Sequence, residues 1–119
     1  MAKMNYDARK AHMLLHNLGT GPHYRGYQLV ISSLDCIASD EKCLTAFHKE
    51  ICIPVSEELS CGHATVESEI RRASERAWQC NPVLLLEIAG KQLNHRPSVI
   101  QFLEMLYYSC CDIQTEKQT

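Results

Sequence analysis

The fold is decided by residues 56–78, which read SEELSCGHATVESEIRRASERAW. Within this stretch Val66, Ile70, Ala73 and Ala77 recur at spacings of four, three and four residues, which places them on one stripe of a helix. Such a stripe has to face a core. The segment therefore predicts a helix with one buried side and one side open to a ligand.

The opposite side of this helix carries mostly polar and charged residues. At about 100° per residue, the outward positions fall on Ala64, Ser68, Arg71, Arg72 and Glu75. A helix-turn-helix protein presents its reading surface on the corresponding face of its second helix. The residues available to a ligand are thus separate from those that hold the fold.

The segment before this helix has the features expected of the first helix of such a motif. Pro54 suits a first helical position, Val55 and Leu59 share a face, and residues 60–63 form a compact break. We expect Gly62 to take the left-handed conformation that ends a helix and turns the chain. The pattern alone is equally compatible with an ordinary helical hairpin in an all-helical domain.

Along the rest of the chain, apolar residues recur at the three- and four-residue spacing of helices and not at the two-residue spacing of strands. Turn and cap signals divide the chain into seven helical segments, with boundaries at Gly19, Asp40, Pro54, Gly62, Asn81, Gly90 and Pro97. We predict an all-α fold, a single compact multi-helix domain over residues 1–119 that contains a helix-turn-helix. Its core spans about residues 5–111, and residues 112–119 form a flexible tail.

Composition restricts the function. The chain has 119 residues, 45% of them hydrophobic, which is enough for one core without metal or disulfide support. A formal net charge of −2 argues against a protein that coats nucleic acid indiscriminately, because such binding needs many contacts between cations and phosphates. Any contact with DNA has to come from a local patch of positive charge.

The cysteines and the apolar runs predict a cytoplasmic protein with no membrane partner. The seven cysteines are an odd number, and no segment resembles a secretory signal, so we expect reduced thiols. The longest apolar run, residues 83–86, is far shorter than the roughly 20 residues that cross a bilayer.

Enzyme and metal sites are not predicted, and neither is a cofactor. The serines and cysteines lack a His and an acidic partner that sequence can identify, and there is no glycine-rich phosphate loop. His12 and His16 lie four residues apart and could hold a metal from one helix face. No third ligand and no Cys-x-x-Cys motif accompany them.

Three pieces of the chain share their order and spacing with a known family: Leu18-Gly19 followed by PHYRGY at residues 22–27, Val66-Glu67 and Ile70-Arg71 leading to ERAW at residues 75–78, and the Pro97 helix with Phe102 and Leu103. The stretch from about residue 15 to 108 resembles the C-terminal DNA-binding (effector) domain of the stage-zero sporulation master response regulator. The resemblance implies an all-helical domain that regulates transcription by placing a recognition helix, about residues 64–79, in the major groove of double-stranded promoter DNA. It also implies homodimers on adjacent sites and contact with RNA polymerase.

The resemblance assigns the base contacts. Glu67 and Arg71 match residues that face the major groove in the family, and their chemistry fits, because a carboxylate can accept from cytosine while a guanidinium can donate twice to guanine. Thr65 and Ser68 stand where the family typically has further arginines, and we expect base contacts through their shorter hydroxyls. The alternative for Glu67 and Arg71, four residues apart, is a helix-surface ion pair.

The phosphate contacts are assigned to His63, Arg72, Arg76 and Arg25. Nearby carboxylates would oppose a DNA backbone if they faced it, and three of them are close in sequence: Glu57, Glu58 and Glu69. Weakened binding or a changed target sequence is therefore part of the interpretation.

Members of the family normally carry an N-terminal receiver domain, and the short segment before the matching region offers no phosphorelay aspartate. Both a stand-alone effector and a part of a longer chain remain open. The competing function is a non-enzymatic protein-interaction module of the same fold, with weakened or lost DNA binding. It would pair with a regulator or RNA polymerase through the apolar helices near residues 80–90 and 97–111.

Overall fold

The computed structural model describes residues 3–114, which form six α-helices and a two-stranded ribbon. In chain order the elements are β1 Lys3–Tyr6, α1 Ala8–Asn17, α2 Arg25–Ser39, a 3-10 turn at Glu41–Thr45, a π-helical turn at His48–Cys52, α3 Ile53–Glu58, α4 His63–Cys80, α5 Pro82–Ala89, α6 Val99–Ser109 and β2 Cys111–Gln114.

Helix α2 lies at the centre of the core and contacts α1, α3, α4 and α6. Its three- and four-residue apolar spacing places Val30, Leu34 and Ile37 on a fully buried side. Helix α4 contributes the predicted stripe, and α6 adds three more fully buried side chains: Phe102, Leu103 and Leu106. Each large apolar side chain buried in this way contributes about 1.5–3 kcal/mol. The predicted all-α fold is confirmed.

Capping residues set the ends of α5 and the start of α6. The Asn81 side chain accepts a hydrogen bond of 3.3 Å from the backbone N–H of Leu84, and Gly90 ends the helix in the left-handed conformation at φ 70°. The Ser98 hydroxyl accepts from the N–H of Gln101, whose side chain accepts from the N–H of Ser98. This reciprocal capping box fixes the first turn of α6.

The turn between α3 and α4 differs from the prediction in its geometry. Gly62 has an extended backbone (φ −81°, ψ 157°) and precedes the first residue of α4, whereas Ser60 has the positive φ of 53°. The prediction of a left-handed Gly62 was therefore wrong. The left-handed residue has to follow the last turn of α3 directly, and Ser60 occupies that place, next to Leu59 at the end of the helix.

The helix before this turn also differs from the prediction, since the chain stays helical across the residues before Pro54. Proline has no N–H to donate to the carbonyl four residues earlier, and its ring displaces that carbonyl. The preceding turn widens, so that the N–H of Ile53 donates to the carbonyl of His48, five residues back. The boundary predicted at Pro54 lies instead at Ala46, after the 3-10 turn that Asp40 caps.

The ribbon brings the two ends of the described chain together. Strand β1 pairs antiparallel with β2, with Lys3 opposite Gln114 and Tyr6 opposite Cys111. The Tyr6 ring stacks on Tyr107 of α6 at 5.5 Å between centroids. Residues 112–114, predicted to belong to a flexible tail, lie in this strand because their backbone groups find partners in β1; residues 115–119 are outside the described part.

A glycine allows α2 to approach the backbone of α4. A Cβ atom at Gly26 would lie 3.0 Å from the main-chain carbonyl oxygen of Glu69. This carbonyl belongs to a helix and cannot move without disturbing the helix. Any larger residue would push α2 and α4 apart, which explains why the PHYRGY element carries glycine at this position.

Within residues 3–114, no helix combines the length and the apolar character needed to cross a membrane. All seven cysteines lie in this range, and none of them is joined in a disulfide. Cys52 and Cys110 are buried in the core. Burial raises the pKa of each of these two thiols to about 11.

We expect Gly26→Ala to lower the free energy of unfolding by about 1–3 kcal/mol, because the added methyl group collides with the Glu69 carbonyl. Urea unfolding followed by circular dichroism measures the change. Gly62→Ser is the matched control, since its Cβ would have 3.7 Å to the nearest atom and its hydroxyl can cap α4. Equal losses in the two variants would contradict the close approach of α2 to α4.

We also expect the free energy of unfolding to fall as pH rises from 9 towards 11. The folded state holds Cys52 and Cys110 in their neutral form, with a pKa of about 11 against an ordinary 9.0, so this contribution is complete below pH 9 and is lost as pH approaches 11. Urea unfolding at several pH values checks the trend. Cys52→Ala should flatten it, and an unchanged slope in that variant would show that this thiol is not responsible.

Candidate nucleic-acid interface

Helices α3 and α4 form a helix-turn-helix with a turn of four residues, 59–62. The stripe on α4 is buried as predicted: Val66, Ile70 and Ala77 are fully inaccessible and Ala73 is nearly so. The stripe packs α4 against α2, α3 and α6. The other side of α4 is consequently held in a fixed orientation toward solvent.

The outward side of α4 carries the residues predicted to contact DNA. His63, Ala64, Glu67 and Arg72 are exposed. Partly exposed positions fill the remainder of this face: Thr65, Ser68, Arg71, Glu75 and Arg76. We call these nine positions the outward face of α4.

Glu67 and Arg71 form an ion pair at the centre of the outward face. The Arg71 Nη2 atom donates to Glu67 Oε2 at 2.6 Å, and the two side chains remain 40% and 49% exposed. This is the i,i+4 pair that the sequence offered as an alternative to base reading. Such surface pairs contribute only a few tenths of a kcal/mol, so a ligand can separate the two groups at low cost.

Arg72 is the most open cation of the outward face. Its Nη1 atom lies 3.5 Å from a carboxylate oxygen of Glu69, and its side chain is 66% exposed while that of Glu69 is 14% exposed. The carboxylate thus lies closer to the protein body than the guanidinium does. This geometry presents a cation outward, as a phosphate contact requires.

The first two turns of α4 combine a histidine with two hydroxyls. The ring of His63 meets the ring of His48 edge to face, with centroids 5.3 Å apart. The Ser68 hydroxyl donates back to the carbonyl of Thr65 at 3.3 Å. The Ser68 hydroxyl therefore has a local partner and would have to rotate to meet a base edge.

Arg76 makes contacts inside the protein. Its Nη1 atom donates to the buried hydroxyl of Thr20 at 2.9 Å, and its guanidinium carbon lies 3.9 Å from the centre of the Tyr24 ring. Thr20 is 56 positions away in sequence, so this contact was not visible in the helical pattern. Arg76 attaches the loop between α1 and α2 to the recognition helix.

This loop has further contacts with the end of α4. The Asn81 amide donates to the carbonyl of Asn17 at 3.0 Å. Gly19, at φ +99°, has the side chain of Cys80 so close that an added Cβ would lie 3.1 Å from it. Together with the contact between Tyr24 and Arg76, these contacts pack the PHYRGY element and the residues before it directly against the ERAW end of α4.

Arg25 lies exposed at the first position of α2, beside the turn of the helix-turn-helix. It lines a shallow depression of about 190 Å³ together with Gln28, Leu29, Leu59 and Cys61. The cation therefore borders the same end of the motif as the N-terminus of α4.

The segment between α5 and α6 lies along α4, which the helical pattern did not predict. We call its residues 91–98 the α5–α6 loop. The buried Ser74 hydroxyl donates to the carbonyl of Pro97 at 2.8 Å. Arg96 Nη2 lies 3.4 Å from a carboxylate oxygen of Glu75. These contacts join residues more than 20 positions apart, which sequence periodicity does not reveal.

His12 of α1 has a hydrogen-bond partner within the protein. His12 Nδ1 is hydrogen-bonded to the hydroxyl of Tyr27. Among the described residues, no group of three or more His, Cys, Asp or Glu side chains is placed to hold a metal ion.

A protein-family model described as "Sporulation initiation factor Spo0A C terminal" matches residues 11–109. The match includes residues 11–17 of α1 and all of α2, α3, α4, α5 and α6. A comparison with curated proteins finds no match.

The contacts of Arg76 predict a structural contribution. We expect Arg76→Ala to lower the free energy of unfolding by about 1–3 kcal/mol, because it removes the Tyr24 contact and leaves the buried Thr20 hydroxyl without a donor. Arg72→Ala removes the same charge from the exposed side of the same helix and should change stability by less than about 0.5 kcal/mol. Urea unfolding compares the two; equal effects would mean that Arg76 is not an anchor.

Proposed function

The chain belongs to the family of sporulation initiation factor Spo0A C-terminal domains, and from this membership we propose that it regulates transcription by binding promoter DNA through α4. The family consists of DNA-binding effector domains of transcription factors and is not an enzyme family.

One observation carries this proposal: α4 has a fully buried stripe and an opposite face that carries charge and hydroxyls. The helix has 18 residues and is therefore about 27 Å long. A major groove about 12 Å wide admits one α-helix. The turn before α4 and the short α3 give the motif the order of elements that helix-turn-helix proteins use.

We assign base reading to Glu67 and Arg71, with Thr65 and Ser68 at the same face. In the absence of DNA the first two neutralise each other. On binding, the guanidinium can donate to guanine and the carboxylate can accept from a neighbouring cytosine, so one ion pair is exchanged for two base contacts. With hydroxyls at Thr65 and Ser68, this face relies on fewer strong donors than a face with additional arginines would.

We assign phosphate contacts to His63, Arg72 and Arg25, which are all exposed. The sequence places Arg76 in the same group of expected phosphate contacts. Because Arg76 already contacts Thr20 and Tyr24, its part in binding is to hold the loop before α2, and any phosphate contact has to use donors that Thr20 leaves open. Homodimers on adjacent sites and contact with RNA polymerase complete the proposal.

A second candidate function is a protein-interaction module of the same fold. It is favoured by apolar side chains that α5 and α6 leave at the surface: Val83 is 77% exposed, Ile100 43% and Tyr108 40%. Ile88, Leu93 and Met105 line a groove of about 230 Å³ between these helices. Glu57 and Glu58, exposed at the end of α3, would also oppose a DNA backbone that they faced.

The two functions predict different effects of salt concentration and of the Arg71→Ala substitution on binding to duplex DNA. For a DNA-reading domain we expect selection from a random duplex pool to yield a preferred sequence, whose binding weakens steeply as salt rises. Arg71→Ala should cost about 1–3 kcal/mol on that sequence and relax the preference at one base position. Fluorescence anisotropy with labelled duplex measures both effects.

Arg9→Ala is the matched control, since it removes one exposed cation from α1 and should leave the base preference intact. Glu67→Gln/Arg71→Ala controls for the carboxylate that Arg71→Ala leaves unpaired. If no duplex is enriched, and binding to a random pool is absent at low salt, the interaction module replaces the DNA-binding proposal.

A further inference from the structure

The α5–α6 loop, residues 91–98, has an unusual charge for its place beside α4. Its sequence KQLNHRPS contains Lys91, His95 and Arg96 and no carboxylate, whereas the whole chain has a formal net charge of −2. Lys91, Asn94 and His95 are exposed, and the Arg96 side chain is 39% exposed. The loop is thus a local cationic segment on an acidic protein.

The loop is held in place against the recognition helix. The hydrogen bond from Ser74 to the carbonyl of Pro97 is buried, and Pro97 itself is buried. The ion pair between Arg96 and Glu75 is a second attachment. It is formed by the sequence neighbours of Pro97 and Ser74. The backbone of the loop next to Arg96 is therefore held beside α4 by the fold.

The loop lies along the same side of α4 that carries the base-reading residues. Arg96 shares a surface depression of about 270 Å³ with Glu67 and Arg71. With Asn94 and His95 it lines a second depression, of about 430 Å³, whose other wall is α4 from Glu75 to Gln79. The loop and the start of α6 thus flank α4 from residue 67 to 79, a length of about 18 Å.

We infer that the α5–α6 loop is a second DNA-contacting element, in which Arg96 binds a backbone phosphate on the groove edge beside α4. The inference rests on the proposed function, because it takes α4 to lie in the major groove. A helix in that groove has a sugar–phosphate chain on each side, and duplex DNA presents one phosphate charge per about 1.7 Å of axis. An element fixed alongside the helix meets that chain.

The chemistry of Arg96 suits a phosphate. A guanidinium has five N–H donors in a planar fork, and the contact with Glu75 at 3.4 Å uses only part of them. The residues that line the first depression include two arginines, Arg71 and Arg96, and one carboxylate, Glu67. When Glu67 and Arg71 contact bases, Arg96 is the remaining cation of this depression and neutralises the adjacent phosphate.

The test is binding of Arg96→Ala to labelled promoter-length duplex over a range of salt concentrations. We expect affinity about tenfold lower at low salt and a salt slope smaller by about 0.9, the value for one lost phosphate contact. The loss should be the same on the selected sequence and on random duplex, since a phosphate carries no base identity. Arg71→Ala, in contrast, should lose more on the selected sequence.

Glu75→Gln separates the phosphate contact from the ion pair within the protein. If Arg96 binds a phosphate, Arg96→Ala lowers affinity by a similar factor in the wild-type and in the Glu75→Gln background. If Arg96 only neutralises Glu75, the effect disappears in the Glu75→Gln background, and the inference is overturned.

Arg9→Ala again supplies the charge-matched control, because Arg9 lies in the first turn of α1 and lines neither depression. An Arg96→Ala affinity equal to that of Arg9→Ala overturns the inference and leaves the proposed function standing. Absence of any DNA binding by the wild-type protein overturns both. Circular dichroism and urea unfolding of each variant confirm that the folded protein is being compared.

Discussion

The close packing of α2 on α4 is the constraint on which the rest of the structure depends. At Gly26 the first turn of α2 meets the backbone of Glu69, with no space for a side chain between the helices. This contact sets the rotation of α4 about its own axis. Because Val66 and Ile70 then point into the core, Arg71 and Arg72 of the same helix lie at the surface.

The features that could be predicted from the sequence are those that depend on local periodicity and capping. The buried stripe of α4 and the caps at Asn81 and Gly90 follow from spacing and from backbone chemistry that act within a few residues. The left-handed residue at Ser60 depends on where α3 ends, and the widened turn forms because the helix runs on into Pro54 instead of beginning there. Arg96 could not be placed at the candidate interface, because only tertiary packing brings it beside α4.

Three arginines of the candidate interface are paired with carboxylates before any ligand binds. Arg71, Arg72 and Arg96 each lie within 4 Å of a carboxylate, and the carboxylates belong to the same helix. The surface therefore has little net attraction for polyanions at a distance, and its affinity has to come from exchange of partners at contact. A surface of this kind favours selectivity over speed of association, since long-range steering needs uncompensated charge.

The ribbon between β1 and β2 has a mechanical consequence. Its strands are antiparallel, so Lys3 and Gln114 are neighbours at one end of the ladder. Tension applied through these two residues would load the hydrogen bonds one after another, as in the opening of a zipper, instead of all together in shear. The ribbon would therefore yield at low force, while the helices, reached only after Tyr6 and Cys111 separate, kept their packing.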